Sequence, residues 1–220
     1  MLRIGHRGAS AYEPENTISS FRRAIEIGVD AVELDVHRTK DGKLIVIHDE
    51  DVSRTTDGEG KVGELSLEEV KALEVEGGEE IPTLEEALDF IDGKVKMLVE
   101  LKESSYEEQV YDLIGEKGLL DNVIIISFDE DALKTMRDLD DDVEIGFIYV
   151  RHRKPLDTAV DIGCNYVLPL HHFTHTRTVE EAHERGLKVI VWTVNEVADV
   201  EEMREKGVDG IASDKPDILM

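Results

Sequence analysis

Ala182-His183-Glu184-Arg185-Gly186-Leu187-Lys188-Val189-Ile190-Val191-Trp192-Thr193 carries a helix end, a glycine and an apolar strand in one short stretch. The order recurs: Ala24 to Gly28 before Ala31 to Val36, Ala159 to Gly163 before Tyr166 to Leu168, and Met203 to Gly207 before Gly210 to Ala212. A glycine just past a helix takes the left-handed conformation at little cost, so the chain can reverse into the next strand. The last three glycines are 23 and 21 residues apart, the length of one helix-strand unit.

Outward from this repeat, strands are predicted at Leu2 to His6, Ala31 to Val36, Lys96 to Leu101, Val123 to Ser127, Glu144 to Ile148, Tyr166 to Leu168, Lys188 to Thr193 and Gly210 to Ala212. Capping-box patterns at Ser66 with Glu69, Thr83 with Glu86 and Thr178 with Glu181 predict helix starts. Eight strands alternating with helices over 220 residues predict a (β/α)8 TIM barrel rather than an open doubly wound sheet, and no glycine-rich dinucleotide fingerprint follows the first strand. Residues 1–220 read as one domain. Thr39-Lys40-Asp41-Gly42-Lys43 predicts a hairpin returning through Leu44 to His48, and a polar insertion with one short helix near Ser66 to Leu73 is expected at about 49–81.

The 51 acidic and 25 basic residues leave a formal charge of −26, which repels phosphate backbones and anionic lipid surfaces. Neither nucleic acid nor stable membrane association is expected, and an anionic substrate would need a local positive field. One cysteine, Cys164, permits no internal disulfide. With no apolar leader core and no long apolar run, the expected location is the cytoplasm.

Strand alternation places Glu33, Asp35 and His37 on one face and Val32, Leu34 and Val36 on the other. Glu100 shares a face with Lys102, and His6 shares one with Leu2 and Ile4. These residues fall at the C-terminal strand ends, where barrel active sites assemble. Glu33, Asp35 and Glu100, with no cysteine among them, suit a hard divalent cation such as Mg2+ or Ca2+. Arg7 and Lys102 supply positive charge, and His6 and His48 form the natural acid/base pair. The competing reading of the acids is a buried salt-bridge network with Arg7 and Lys102.

The chain resembles the glycerophosphodiester phosphodiesterases in His6-Arg7-Gly8, Glu15-Asn16-Thr17 with Phe21, Gly28 through Glu33-Leu34-Asp35-Val36, Thr39-Lys40-Asp41-Gly42, His48-Asp49 and Glu100-Leu101-Lys102. The resemblance continues through Trp192-Thr193-Val194-Asn195 and Asp209 to Asp214. It implies a barrel, a metal-dependent hydrolase and a small glycerophosphodiester substrate cleaved to glycerol 3-phosphate and an alcohol. It assigns metal binding to Glu33, Asp35 and Glu100, catalysis to His6 and His48, phosphate binding to Arg7 and Lys102, and a glycerol-pocket wall to Trp192. Either histidine can begin as base on these residues alone, and either water or the glycerol 2-hydroxyl can attack.

Two alternatives keep the same pocket: a lysophospholipase D, and a non-catalytic glycerol-phosphate-binding barrel. The first requires an exposed apolar rim, for which Phe173 and the insertion offer little. The second would not need both histidines. Glu15-Asn16-Thr17 reads as structural, with Asn16 or Thr17 capping a helix, Asp49 as an orienter of His48 or a loop bond, and His171, His172 and His175 as an exposed loop and helix start. The sequence implies no oligomeric state.

Overall fold

The computed structural model describes residues 1–220. Eight strands run parallel: β1 (Leu2–Gly5), β2 (Ala31–Arg38), β4 (Lys96–Leu101), β5 (Val123–Ser127), β6 (Glu144–Tyr149), β7 (Tyr166–Pro169), β8 (Lys188–Val191) and β9 (Gly210–Ser213). Their order is 1-9-8-7-6-5-4-2, and pairing of β1 with β2 closes the ring. This is a TIM barrel. The remaining strand, β3 (Leu44–Val46), lies antiparallel on the last residues of β2, pairing Val36 with Val46.

Helices α1 (Ile18–Ile27), α3 (Leu84–Ile91), α4 (Glu107–Glu116), α5 (Glu130–Leu139), α6 (Pro155–Ile162), α7 (Thr176–Glu184) and α8 (Val197–Glu205) cover the barrel, while α2 (Leu67–Lys71) lies in the segment after β3. Local chemistry sets their ends. Thr17 Oγ1 accepts from Ser20 N–H at the start of α1, and Gly28 closes it at φ 99°. Ser66 and Thr83 form complete capping boxes with Glu69 and Glu86.

The third predicted box is absent. His175 is the N-cap of α7, and Thr178 already donates its N–H to the His175 carbonyl, so Thr178 lies inside the first turn. Glu181 bonds instead to Arg177, one turn earlier.

Strand alternation divides two cores. Ile4, Ala31, Leu98, Ile124, Ile126, Ile148, Tyr166, Leu168, Ile190 and Ala212 fill the barrel interior. Val32, Leu34, Val36, Val99 and Ile125 face outward into the layer beneath the helices. After β3, Ile45, Ile47, Val52, Val62, Val70, Val75 and Ile81 form a small satellite core. That core braces Asp49 and Arg54 beside the barrel mouth.

Candidate active site

The turn after β1 brings a histidine and an arginine to the mouth. Gly8 sits at φ 83°, and a Cβ there would meet Ser20 Oγ at 2.4 Å and Ser20 backbone atoms at 2.6–2.7 Å. Only glycine lets this turn rest on α1. Arg7 itself is left-handed, at φ 54°. Its carbonyl accepts from Ser20 Oγ and Asn16 N–H, and its N–H donates to Glu33 Oε2 at 2.8 Å.

Strand register assembles the acids. Asp35 and Glu100 are direct partners across β2 and β4, and Glu33 lies two residues earlier on the same face as Asp35. One oxygen from each of Glu33, Asp35 and Glu100 lies within 4.8 Å of the others, and all three residues are buried. Lys102 Nζ reaches Glu100 at 2.6 Å and Asp35 at 3.2 Å, while Arg7 Nε lies 3.4 Å from Asp35 without a hydrogen-bonding angle.

Three carboxylates thus face two cationic side chains. Burial, reinforced by the charges of Asp35 and Glu100, raises the pKa of Glu33 well above the usual carboxylate range. Burial and the Asp35 charge lift Glu100 to about 7, against Lys102. Burial also opposes ionisation of Asp35, but Lys102, Arg7 and His48 together hold it at about 2. Glu33 Oε1 is buried without a partner. An all-oxygen group with an orphan acceptor, in which burial and mutual repulsion raise two of the three pKa values, fits a hard dication better than a closed salt-bridge network.

Each histidine leans on a carboxylate through Nδ1. Because β1 and β9 pair Gly5 with Ser213, the next residues, His6 and Asp214, come together, and their Nδ1 and Oδ1 atoms are 2.7 Å apart. Asp214 also accepts from Ser10 and Asn195; burial disfavours its charge, but these bonds and His6 keep its pKa at about 2. His48 Nδ1 is 2.5 Å from Asp49 Oδ1. Asp49 then bonds to Arg54, Arg54 to Glu15, and Glu15 to Arg7, linking the insertion to the turn after β1. Burial pushes the His48 pKa down, with Asp35 and Asp49 opposing.

Both histidines, Arg7, Glu33, Glu100, Lys102 and Trp192 line one cavity of about 130 Å3 in the barrel mouth. Asp35 lies buried behind them. Two larger clefts, of about 890 and 790 Å3, hold neither the acids nor the histidines. The far wall is apolar: Ile126, Phe128, Ile148, Leu168, Ile190 and Trp192. Trp192 spends its Nε1–H on the Leu168 carbonyl and meets Phe128 edge to face at 5.7 Å.

Asn16 and Asp214 are invisible to strand patterning, whereas alternation already singled out His37. Asn16 is no cap: its Nδ2 donates to Asp35 Oδ2 at 2.8 Å and its Oδ1 accepts from Asp35 N–H, while Thr17 caps α1. His37 lies 3.1 Å from the His48 carbonyl and 3.1 Å from Glu103. Asp214 could have been found from its place just past the strand that closes onto β1. His171 differs from its expected exposed setting, since it is buried against the Trp192 carbonyl.

The sequence pattern of the glycerophosphoryl diester phosphodiesterase family matches residues 6–218. A glycerophosphodiester phosphodiesterase of Caldanaerobacter subterraneus subsp. tengcongensis is 38% identical, the alignment covering 100% of this chain and 96% of that one. The Agrobacterium tumefaciens glycerophosphodiester phosphodiesterase crystal structure superposes with a TM-score of 0.90 at 27% identity, covering 100% and 99% of the two chains. An Oleispira antarctica phosphodiesterase, solved with its product sn-glycerol-3-phosphate, gives a TM-score of 0.90 at 28% identity over 98% of this chain and 94% of that one. Barrel, acid cluster and tethered histidines therefore stand within a match that runs nearly end to end, and the chain belongs to the glycerophosphoryl diester phosphodiesterase family.

Proposed function

We propose that this chain, acting as one barrel domain, hydrolyses glycerophosphodiesters to glycerol 3-phosphate and an alcohol. The observation that carries the reading is the convergence of a three-carboxylate cluster and two carboxylate-tethered histidines on one small cavity. Glu33, Asp35 and Glu100 would hold a divalent cation, Mg2+ or Ca2+, which when bound supplies Lewis-acid stabilisation of charge on the phosphoryl oxygens. A cytoplasmic location belongs to the same proposal.

The chain's own groups supply the remaining chemistry. Arg7 and Lys102 bring positive charge to the phosphate, electrostatic help worth about 3 kcal/mol per well-placed donor in comparable sites. Asp214 and Asp49 hold the two Nδ1 atoms, leaving each Nε2 available to exchange a proton with the substrate. His48, where burial favours the neutral imidazole, takes the proton of the attacking oxygen, and His6 donates to the leaving alcohol. Each transfer contributes about 100- to 10,000-fold. Trp192 and the apolar wall exclude water from the carbon side of the substrate.

Purified protein with glycerophosphocholine, in EDTA or in Mg2+ or Ca2+, tests the reading. Glycerol 3-phosphate should appear only with metal. His48→Ala should abolish turnover and leave metal binding intact, whereas Glu33→Ala should impair both. Binding without turnover in the unmodified protein would identify a non-catalytic barrel instead.

A further inference from the structure

We propose that the rim formed by the loops after β5, β6 and β7 docks the barrel mouth onto bilayers containing anionic lipids. Phe128, Val150 and Phe173 follow these strands and remain 46%, 37% and 44% exposed. Side-chain contacts join these loops around one side of the cavity: Phe128 meets Trp192 at 5.7 Å, His152 reaches Glu130 at 3.4 Å, and the Arg151 guanidinium lies 5.0 Å from the Phe173 ring. Val197, 57% exposed at the start of α8, lies near the same side, where Asp199 reaches His171 at 3.8 Å.

One loop of the rim also departs from the charge of the whole chain. In a chain of formal charge −26, Arg151-His152-Arg153-Lys154 is a wholly basic or titratable run, exposed along its length. Lys154 pairs with Asp157 and His152 with Glu130, while Arg151 and Arg153 have no carboxylate partner. Of the acids nearby, Asp129 caps α5, and Glu130 and Asp131 both lie within ion-pair reach of Lys134, so none of these is turned onto the two arginines.

Two free guanidinium groups beside exposed aromatic and aliphatic side chains complement the charged headgroups and apolar interior of an anionic leaflet. Repulsion from acids elsewhere on the barrel is screened within about 8 Å at physiological salt, so the face meeting the leaflet dominates the encounter. The expectation of no stable membrane association follows from the chain-wide charge, and that of little exposed apolar rim from Phe173 and the insertion alone. The structure departs from the second by gathering Phe128, Val150 and Phe173 at one mouth, and the proposal departs from the first. Docking would be peripheral and reversible, since no helix is long and apolar enough to cross a membrane. It would turn the mouth toward the surface where phospholipids lose their acyl chains, the class of reaction that yields glycerophosphodiesters.

Vesicle co-sedimentation tests this without any assay of turnover, so its outcome is separate from that of the phosphodiesterase reading. The probes are vesicles of phosphatidylglycerol with phosphatidylcholine, and of phosphatidylcholine alone, at low and high salt. The unmodified protein should partition onto the anionic vesicles at least about tenfold better than onto neutral ones, and high salt should weaken this. Arg151→Glu with Arg153→Glu should lose about tenfold or more. Val150→Ser with Phe173→Ser should weaken binding at both salt concentrations.

A far-ultraviolet circular dichroism spectrum and a cooperative melt matching those of the unmodified protein serve as the folding check of the charge variant. If that variant does not fold, Arg151→Gln with Arg153→Gln replaces it and should still lose several-fold binding. Equal partitioning onto both vesicle types, or a charge variant that binds as well as the unmodified protein, overturns the proposal.

Discussion

Glu33→Gln separates a metal centre from a structural salt-bridge network more sharply than any other single substitution. Burial and the charges of Asp35 and Glu100 favour a protonated Glu33 in the metal-free protein. Glutamine copies the shape of that neutral acid and keeps an acceptor for the Arg7 N–H. In EDTA, the variant should therefore melt within a few degrees of the unmodified protein. If Glu33 were instead an ionised partner of Arg7, removing it would cost about 3–5 kcal/mol, lowering the midpoint of a chain this long by about 6–11 °C.

Adding a dication should separate the two proteins. At a free concentration about 100 times the dissociation constant, binding adds about 2.7 kcal/mol to stability, which raises the melting midpoint of a 220-residue chain by about 6 °C. The variant has lost an oxygen charge from the cluster and should lose most of that rise at the same Mg2+ or Ca2+ concentration. Scanning calorimetry of both proteins, with EDTA and with each ion, reads all four midpoints. An equal metal-induced rise in the two proteins would place the cation elsewhere, and a large loss in EDTA would restore the salt-bridge account.

Asp214→Asn should cut kcat by about 100-fold or more with KM little changed, because the amide no longer fixes the His6 tautomer; steady-state kinetics on glycerophosphocholine measure it. The same variant should flatten the acid limb of stability. Asp214 has a folded pKa of about 2 against an ordinary 3.8, so its contribution is present above about pH 4 and lost as pH falls through about 2, which denaturant titrations across that window detect. Gly8→Ala should destabilise by about 2–4 kcal/mol in chemical unfolding, since a Cβ at φ 83° would lie 2.4–2.7 Å from Ser20. Cys164, whose thiol burial pushes up to about 12, should resist a water-soluble thiol reagent at pH 8 until denaturant opens the fold, as mass spectrometry would show.

What the chain reveals about itself depends on how far each interaction reaches. The alternation of Glu33, Asp35 and His37 against Val32, Leu34 and Val36 is local, and period two leaves no choice of face once one side must be apolar. The acid cluster was therefore legible from two strands. His6 and His48 were legible for the same reason, each standing just beyond a short apolar run. The groups that hold those histidines differ in reach: Asp49 adjoins His48 in sequence, but Asp214 meets His6 across 208 positions, and only closure of β9 onto β1 makes them neighbours.

At Asn16-Thr17 the capping reading holds but residue type alone does not choose between the two. Thr17 takes that role, and tertiary placement turns the Asn16 amide onto Asp35. The Thr178 pattern fails outright, because a capping pattern one turn late resembles one in register. The apolar rim has no sequence periodicity at all: Phe128, Val150 and Phe173 lie on three separate loops, and only the barrel's common direction of winding delivers every strand's C-terminal loop to the same end. A parallel barrel thus makes its strand-borne chemistry readable in short windows. The groups that orient that chemistry, and the surface around it, emerge only when the ring is closed.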